Sequence, residues 1–317
     1  MTTIRCVSVS GGKDSTACAL LALERHPKEE IRLVFADTGN EHEITYDYVN
    51  NYMPKTLGLP VHVVRADFTP QIAGKALFVR EKWPAMGVPL EKVERALATL
   101  RPTGNPFLDL CIWKGRFPSR RAQFCTEQLK KLPLTAYQEE LLDEFGEVES
   151  WQGIRWDESQ NRKNALERED IGGGILKITA VRPILSWTAQ QTVDYVRSKG
   201  IELNPLYSQG MGRVGCMPCI NARKGEVLEI AKRFPEHVAR IAEWEEIVHD
   251  ASKWDGATFF AMVEDAKGLT TEECVEKGNI LQIVEWAKTG HGGKQYDLFS
   301  SSTEEAPSCS SAYGLCE

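Results

Sequence analysis

The chain is 317 residues long, 42% hydrophobic and 26% charged, with a formal net charge of −7 at neutral pH. That balance fits a globular protein of one large domain or two modest ones, and it excludes a global basic field that would draw the chain to nucleic acid or an anionic membrane. No run approaches the roughly 18 apolar residues that a membrane span needs, and the first residues lack the long apolar stretch of an export signal, so a cytoplasmic location without membrane partners is expected.

Residues 4–9 alternate and are rich in β-formers, which predicts a first strand. A glycine loop, Ser10-Gly11-Gly12-Lys13-Asp14-Ser15, then leads into a predicted helix over residues 16–23. Residues 31–36 predict a buried second strand that ends at Asp37-Thr38-Gly39. Residues 44–53 read as a helix stopped by Pro54, and residues 61–64 as a third strand. Strands alternating with helices imply an α/β fold with a doubly wound, mainly parallel sheet, whose ligands sit beyond the carboxyl ends of the strands. Both the glycine loop and Asp37-Thr38-Gly39 fall at such ends.

From residue 68 to 124 the rhythm breaks at Pro84, Pro89, Pro102, Pro106 and Pro118, with one predicted helix near residues 90–100. The α/β pattern resumes with a helix at 135–144, strands at 148–151 and 175–181, and a helix at 188–199. Residues 226–288 read as mainly helical, and residues 299–317 as a Ser-rich tail of disordered composition. The expected organisation is a nucleotide-binding domain over 1–225 with an insertion at 68–124, a helical region over 226–290, and a Cys-containing tail over 291–317.

A strand, a paired-glycine turn and a helix in succession make a phosphate cradle. Glycines let backbone N–H groups approach phosphate oxygens, and the helix N-terminus adds the positive end of its dipole. Ser10, Ser15 and Thr16 offer hydroxyl donors, Lys13 a point charge, and Ser8 lies at the strand end. The spacing of a kinase or GTPase P-loop is absent, so γ-phosphate chemistry is not expected. The plainer alternative is a Gly-Gly turn joining strand to helix.

The Ser10–Ser15 segment resembles the PP-loop of the ATP pyrophosphatases, and further segments resemble the phosphoadenosine phosphosulfate (PAPS) reductase family within that group. Phe35-Ala36-Asp37-Thr38-Gly39 is similar to the family's second-strand motif, which contacts the adenine nucleotide. The segment from Trp151 through Gly153, Arg155, Glu158 and Ser159 to Arg162 resembles its Gly-x-Arg-x-x-Glu-Ser-x-x-Arg motif. Arg182-Pro183 and Asn204-Pro205-Leu206-Tyr207 follow in family order, so the resemblance spans residues 4–225. It implies nucleotide contacts from Ser8, Ser10, Gly11, Gly12, Lys13, Asp14, Ser15, Thr16, Asp37, Thr38, Gly39, Gly153, Arg155, Glu158, Ser159 and Arg162, with Lys13, Asp14 and Arg155 in catalytic roles. Two guanidiniums suit the bidentate grip of phosphate or sulfate oxygens, with Glu158 orienting one of them.

Nine cysteines bear on the chemistry. Cys6, Cys18 and Cys274 read as small core residues, and Cys111 as buried among apolar neighbours. Cys216-Met217-Pro218-Cys219 has the spacing of a metal-binding or redox pair. Cys125-Thr126 resembles the segment in which cluster-bearing sulfonucleotide reductases carry two adjacent cysteines, here with threonine in the second position. The expected metal ligands are Cys125, Cys216 and Cys219 with Cys309 as the fourth, Cys316 or no residue being the other options. A [4Fe–4S] cluster is favoured over zinc or an unligated pair. The family's reductases carry a catalytic cysteine in Glu-Cys-Gly-x-His; Gly314-Leu315-Cys316-Glu317 departs from it, leaving Cys316 as the candidate nucleophile and weighing against a plain reductase.

The one dense basic segment, Lys114 to Arg121 with Trp113 and Phe117 interleaved, fits a nucleic-acid strand, nucleotide phosphates or a simply solvated surface, nucleic acid being the less favoured. The expected function is cleavage of the α–β bond of ATP, with Mg²⁺, to activate an acceptor in sulfur chemistry, a thiol reductant or sulfur donor protein being the partner. A thiol-dependent PAPS or adenylyl sulfate reductase ranks second. A nucleotide-binding regulatory or nucleic-acid-associated protein without turnover ranks third.

Overall fold

In the computed structural model, which describes residues 2–158, 162–254, 256–260 and 270–290, the described chain divides into two units: 2–66 with 126–217, and 67–125 with 218–290. The stretches expected as an insertion and a separate helical region therefore share one unit. Among the described residues no helix is long and apolar enough to cross a membrane.

The first unit opens with β1 (Thr2–Ser8), α1 (Lys13–Arg25), β2 (Ile31–Asp37), α2 (Glu43–Asp47), α3 (Met53–Leu57) and β3 (Val61–Arg65). It is completed by α7 (Leu132–Phe145), β4 (Gly146–Trp151), β5 (Arg168–Asp170), β6 (Ile178–Val181) and α8 (Ala189–Ser198), the labels α4 to α6 belonging to the second unit. The strand order is β3-β2-β1-β4-β6-β5, with β5 antiparallel to β6 and all other pairings parallel.

Both faces of the central strands are covered. Val7, Val9, Leu33 and Phe35 pack with Ala17, Leu20 and Leu21 of α1 on one face, while Ile4, Cys6, Val34 and Ala36 meet Leu134, Tyr137 and Leu141 of α7 on the other. Burial on two sides is why β2 reads as an unbroken apolar run. Each such Leu or Phe contributes about 1.5–3 kcal/mol of transfer free energy. Cys6 and Cys18 are fully buried, and burial pushes the Cys6 thiol up to about 12.

Three local expectations are corrected. Pro54 does not end the helix: α2 runs through a π-helical turn, Tyr48–Tyr52, into α3, and Pro54 sits in α3's first turn. The π turn shifts the hydrogen-bond register, so a residue without an N–H is accommodated, and the helix ends at Gly58, whose φ of +67° suits a left-handed cap. The strand expected over residues 175–181 is shorter, and the charged strand β5 beside it has no hydrophobic period to announce it. Cys274 is only half-buried.

The second unit holds α4 (Thr69–Lys82), α5 (Leu90–Thr99), α6 (Pro106–Lys114), α9 (Lys224–Arg233), α10 (Pro235–Asp250), α11 (Thr271–Gly278) and α12 (Ile280–Lys288). Its centre is an aromatic cluster. Phe107 stacks on Trp244 with centroids 5.7 Å apart, and Phe117 lies 5.4 Å from Phe259. Trp113 stacks on Phe68 at 5.7 Å. The aromatics of the basic segment thus pack within this unit, while Lys114, Arg116, Arg120 and Arg121 are exposed. Cys111 is fully buried, which drives its thiol well above its ordinary pKa.

Glu245 of α10 reaches the backbone amides of Phe259 and Ile280, accepting from them at 2.7 and 2.9 Å. Burial nonetheless pushes its carboxyl up to about 7, so folding takes up a proton. The neutral form's advantage is complete below the ordinary carboxyl range and is lost as pH rises through 7. Stability is therefore expected to decline between pH 5 and 8. In urea titrations Glu245→Gln should gain on wild type by on the order of 2 kcal/mol across that window; parallel curves for the two proteins would refute the assignment.

Candidate nucleotide site

Strand order locates the site before any side chain does. The chain winds from β1 outward to β2 and β3, then returns to place β4 on β1's other side. The loops that follow β1 and β4 therefore diverge at a topological switch point, where open α/β sheets bind ligands. Those loops are the glycine loop and the segment from Gln152 to Glu158.

Gly11 takes a φ of +79°, and a Cβ there would lie 3.0 Å from Thr45 Cγ2 and 3.1 Å from Val49 Cγ2. Gly12 is the N-cap of α1. The hydroxyls of Ser15 and Thr16 donate to the Gly12 carbonyl at 3.0 and 2.9 Å, and Ser15 Oγ accepts from the Ser10 amide at 3.1 Å. These two hydroxyls shape the loop from within. Tyr207 supplies the oxygen that accepts the Lys13 amide at 3.1 Å, a role its place in Asn204-Pro205-Leu206-Tyr207 did not specify. Asn204 Nδ2 in turn donates to Thr45 Oγ1 at 3.3 Å. Ser8 is buried at the end of β1.

Asp14 is fully buried. It accepts from Arg155 Nε at 2.7 Å on one oxygen and from Lys13 Nζ at 2.9 Å on the other. Arg155 also pairs with Asp157, its amide donates to Glu158 Oε2 at 2.8 Å, and Glu158 pairs with Arg162. Burial pulls the Arg155 guanidinium down, but Asp14, Glu158 and Asp157 outweigh it and hold the charge more firmly than usual. Lys13, Arg155 and Arg162 thus alternate with Asp14, Asp157 and Glu158 in one network. Gly153 makes the approach feasible: a Cβ there would lie 2.6 Å from the Asp14 carbonyl oxygen and 2.8 Å from the Ser15 nitrogen.

At the end of β2, Asp37 Oδ1 accepts from the Gly39 amide at 2.8 Å and from the Tyr46 hydroxyl at 2.7 Å, and Oδ2 faces Arg65 Nε at 3.2 Å. Thr38 donates its hydroxyl to Glu41 Oε1 at 2.6 Å and its amide to Glu41 Oε2 at 3.2 Å. Burial, then Glu41 and Asp37, push the Tyr46 hydroxyl far above its ordinary pKa, so it remains a donor. Glu41 and Tyr46 escaped the sequence reading because the run Asn40-Glu41-His42-Glu43 gives no hint of which carboxylate turns inward.

The cysteines divide between the units. Cys216 belongs to the first, Cys125 and Cys219 to the second. Cys219 Sγ accepts from the Asn221 amide at 3.4 Å. Ser159, Cys309 and Cys316 lie outside the described residues.

Gly153→Ala sets a methyl group against backbone that no rotamer change relieves. It is expected to lower stability by about 1–3 kcal/mol in thermal denaturation. Gly74→Ala in α4, where a Cβ meets nothing within 4 Å, should be neutral or slightly stabilising. Equal effects at the two positions would contradict the close approach.

The phosphoadenosine phosphosulfate reductase domain family model matches residues 5–222. An uncharacterized 37.8 kDa protein of Escherichia phage 186 is 44% identical over 99% of this chain and 97% of its own length. The nin region protein ORF290 of Escherichia phage lambda is 29% identical over 60% of this chain and 61% of its own length. The adenosine 5'-phosphosulfate reductase of Staphylococcus haemolyticus is 25% identical over 67% of this chain and 68% of that protein. Among solved structures, the phosphate complex of phosphoadenylyl-sulfate reductase from Candida auris matches with a TM-score of 0.40 and 16% identity, covering 69% of this chain and 83% of that one.

Proposed function

This chain belongs to the phosphoadenosine phosphosulfate reductase domain family, and from that premise we propose that it binds ATP at the Ser10–Ser15 loop and cleaves the α–β phosphate bond to activate an acceptor. Family membership supports a sulfonucleotide-related function in general; ATP is the finer reading. The observation that carries it is the glycine loop at the switch point, closed by Gly153 and tied to Arg155 through buried Asp14.

In the proposed reaction an acceptor oxygen attacks the α-phosphorus, the bond to the bridging oxygen breaks, and its electron pair leaves with pyrophosphate. The acceptor's proton passes to solvent, and AMP remains on the acceptor, ready for displacement by a sulfur nucleophile. The positive dipole end of α1 and the Lys13 ammonium meet the charge that develops on the departing pyrophosphate. Arg155 and Arg162 orient the α-phosphate, with Asp14 and Glu158 holding them in place. Asp37, Thr38 and Gly39 face the nucleoside end. Mg²⁺, where bound with ATP, would share the pyrophosphate charge.

Cys125, Cys216 and Cys219 are the proposed ligands of a [4Fe–4S] cluster, with Cys309 as the fourth. The donor set suits the cluster: cysteine sulfurs are the ligands such clusters take, and the hydrogen bond that Cys219 accepts from the Asn221 amide is of the kind that tunes cluster sulfurs. A bound cluster would supply an iron-held sulfur or electrons. The second reading is sulfonucleotide reduction with Cys316 as nucleophile, favoured by the similarity to the reductase of Staphylococcus haemolyticus.

Anaerobically prepared protein given ATP–Mg²⁺ and, separately, PAPS with thioredoxin separates the two. Pyrophosphate release is expected, lowered about 100-fold in Lys13→Ala; sulfite release without ATP turnover would install the reductase reading instead. Iron and acid-labile sulfide should be present in the wild type and fall in Cys125→Ala and Cys219→Ala, and their absence from the wild type would remove the cluster.

A further inference from the structure

The loop after β2 and the Cys-x-x-Cys segment meet at one buried carboxylate. Glu41 is 3% exposed, and its Oε1 accepts the Thr38 hydroxyl at 2.6 Å. The Cys216 thiol, 175 positions away in sequence, donates to the same oxygen at 3.7 Å and lies 3.5 Å from Thr38 Oγ1. The second oxygen, Oε2, accepts from the Thr38 amide and the Tyr46 hydroxyl at 3.2 and 3.0 Å.

Main chain holds both partners in register. Glu41 and Cys216 form an isolated antiparallel bridge, and the Met217 amide donates to the Asn40 carbonyl at 2.7 Å. The Thr45 hydroxyl donates to the Val214 carbonyl at 2.8 Å. Cys216 therefore stands at the nucleotide loop by construction, and its thiol and the Thr38 hydroxyl share one acceptor atom.

We propose that Thr38, Glu41 and Cys216 form a coupling unit through which nucleotide occupancy and the chemical state of the Cys216 sulfur control each other, Glu41 being the positioning residue. The proposal rests on the nucleotide reading given above. A nucleotide acceptor atom that takes the Thr38 hydroxyl proton draws it away from Glu41, and Oε1 then keeps the Cys216 thiol as its donor. When the sulfur is bonded to a metal or to another sulfur, that S–H donor is gone, Oε1 holds Thr38 alone, and nucleotide engagement becomes harder. Linkage makes the effect reciprocal: whatever factor the state of the sulfur imposes on nucleotide affinity, the nucleotide imposes on the sulfur.

The test compares Cys216→Ala, which removes the donor, with Cys216→Ser, which keeps one, by calorimetric titration with ATP of the full chain, reduced and freed of metal by chelation so that the wild-type sulfur carries its proton. Cys216→Ala should raise Kd about fivefold and Cys216→Ser less than about twofold, since contacting residues couple on this scale. In a Glu41→Gln background the Ala and Ser variants should bind ATP equally. Cys274→Ala, on α11 of the other unit, should match wild type throughout. Equal Kd for Ala and Ser with Glu41 intact, or a difference that survives Glu41→Gln, would overturn the coupling. Failure of the wild-type chain to bind ATP would instead sink the nucleotide reading, and the same comparison by melting temperature then decides the contact: the Ser variant should melt above the Ala variant only where Glu41 is present, and any other order refutes it.

Discussion

Burying a carboxylate completely is costly, and Asp14 is buried completely. The structure tolerates it because Arg155 and Lys13 each occupy one of its oxygens. The pair joins α1's first turn to the segment after β4, across 141 positions of sequence. Removing one partner of such a pair typically costs about 3–5 kcal/mol, because the other charge stays behind unpaired. The placement of Arg155, the approach of Gly153 and the closure of the glycine loop all depend on this contact. The charged residues at the site serve first as its framework, and a nucleotide would meet groups already oriented by one another.

The carboxylates therefore divide by task. Asp14 and Glu158 hold cations, Glu41 holds the Thr38 amide and hydroxyl and the Tyr46 hydroxyl, and Asp37 holds the Gly39 amide and the Tyr46 hydroxyl on one oxygen and faces Arg65 with the other. One half of the site is a set of ion pairs that would face phosphate. The other is mostly neutral donors on acidic acceptors, with half-exposed Arg65 as its one cation among the contacts described. That polarity fits a ligand with a highly charged end and a nearly neutral one.

What the sequence disclosed follows the physics of each signal. Two-sided burial made β2 and β1 legible, and the glycine loop stood out because positive φ and close approach admit few residues. Charged β5 carried no period. Pro54 misled because a helix breaker at one register is harmless at another, and the π turn that shifts the register leaves no compositional mark. Phe117 and Trp113 looked like a stacking surface beside the basic residues, yet their partners, Phe259 and Phe68, lie too far along the chain for spacing to reveal. Arg155 and Arg162 were visible as a motif, but the buried role of Asp14 and the inward turn of Glu41 are products of tertiary contact.

Strand order also has a consequence for synthesis. Once β1 and β2 have left the ribosome they can pair, yet β1's other neighbour, β4, begins only at Gly146. At translation rates of roughly 5–20 residues per second, the central strand waits on the order of ten seconds with one edge open. An apolar strand with unpaired amides and carbonyls is a template for wrong partners during that interval. The intervening segment from Asp67 to Cys125 lengthens the delay, and its own aromatic cluster cannot close until Trp244 and Phe259 have been made. The nascent chain thus holds the edge of its central strand open for about a third of its synthesis, an interval in which chaperones would be needed to shield it.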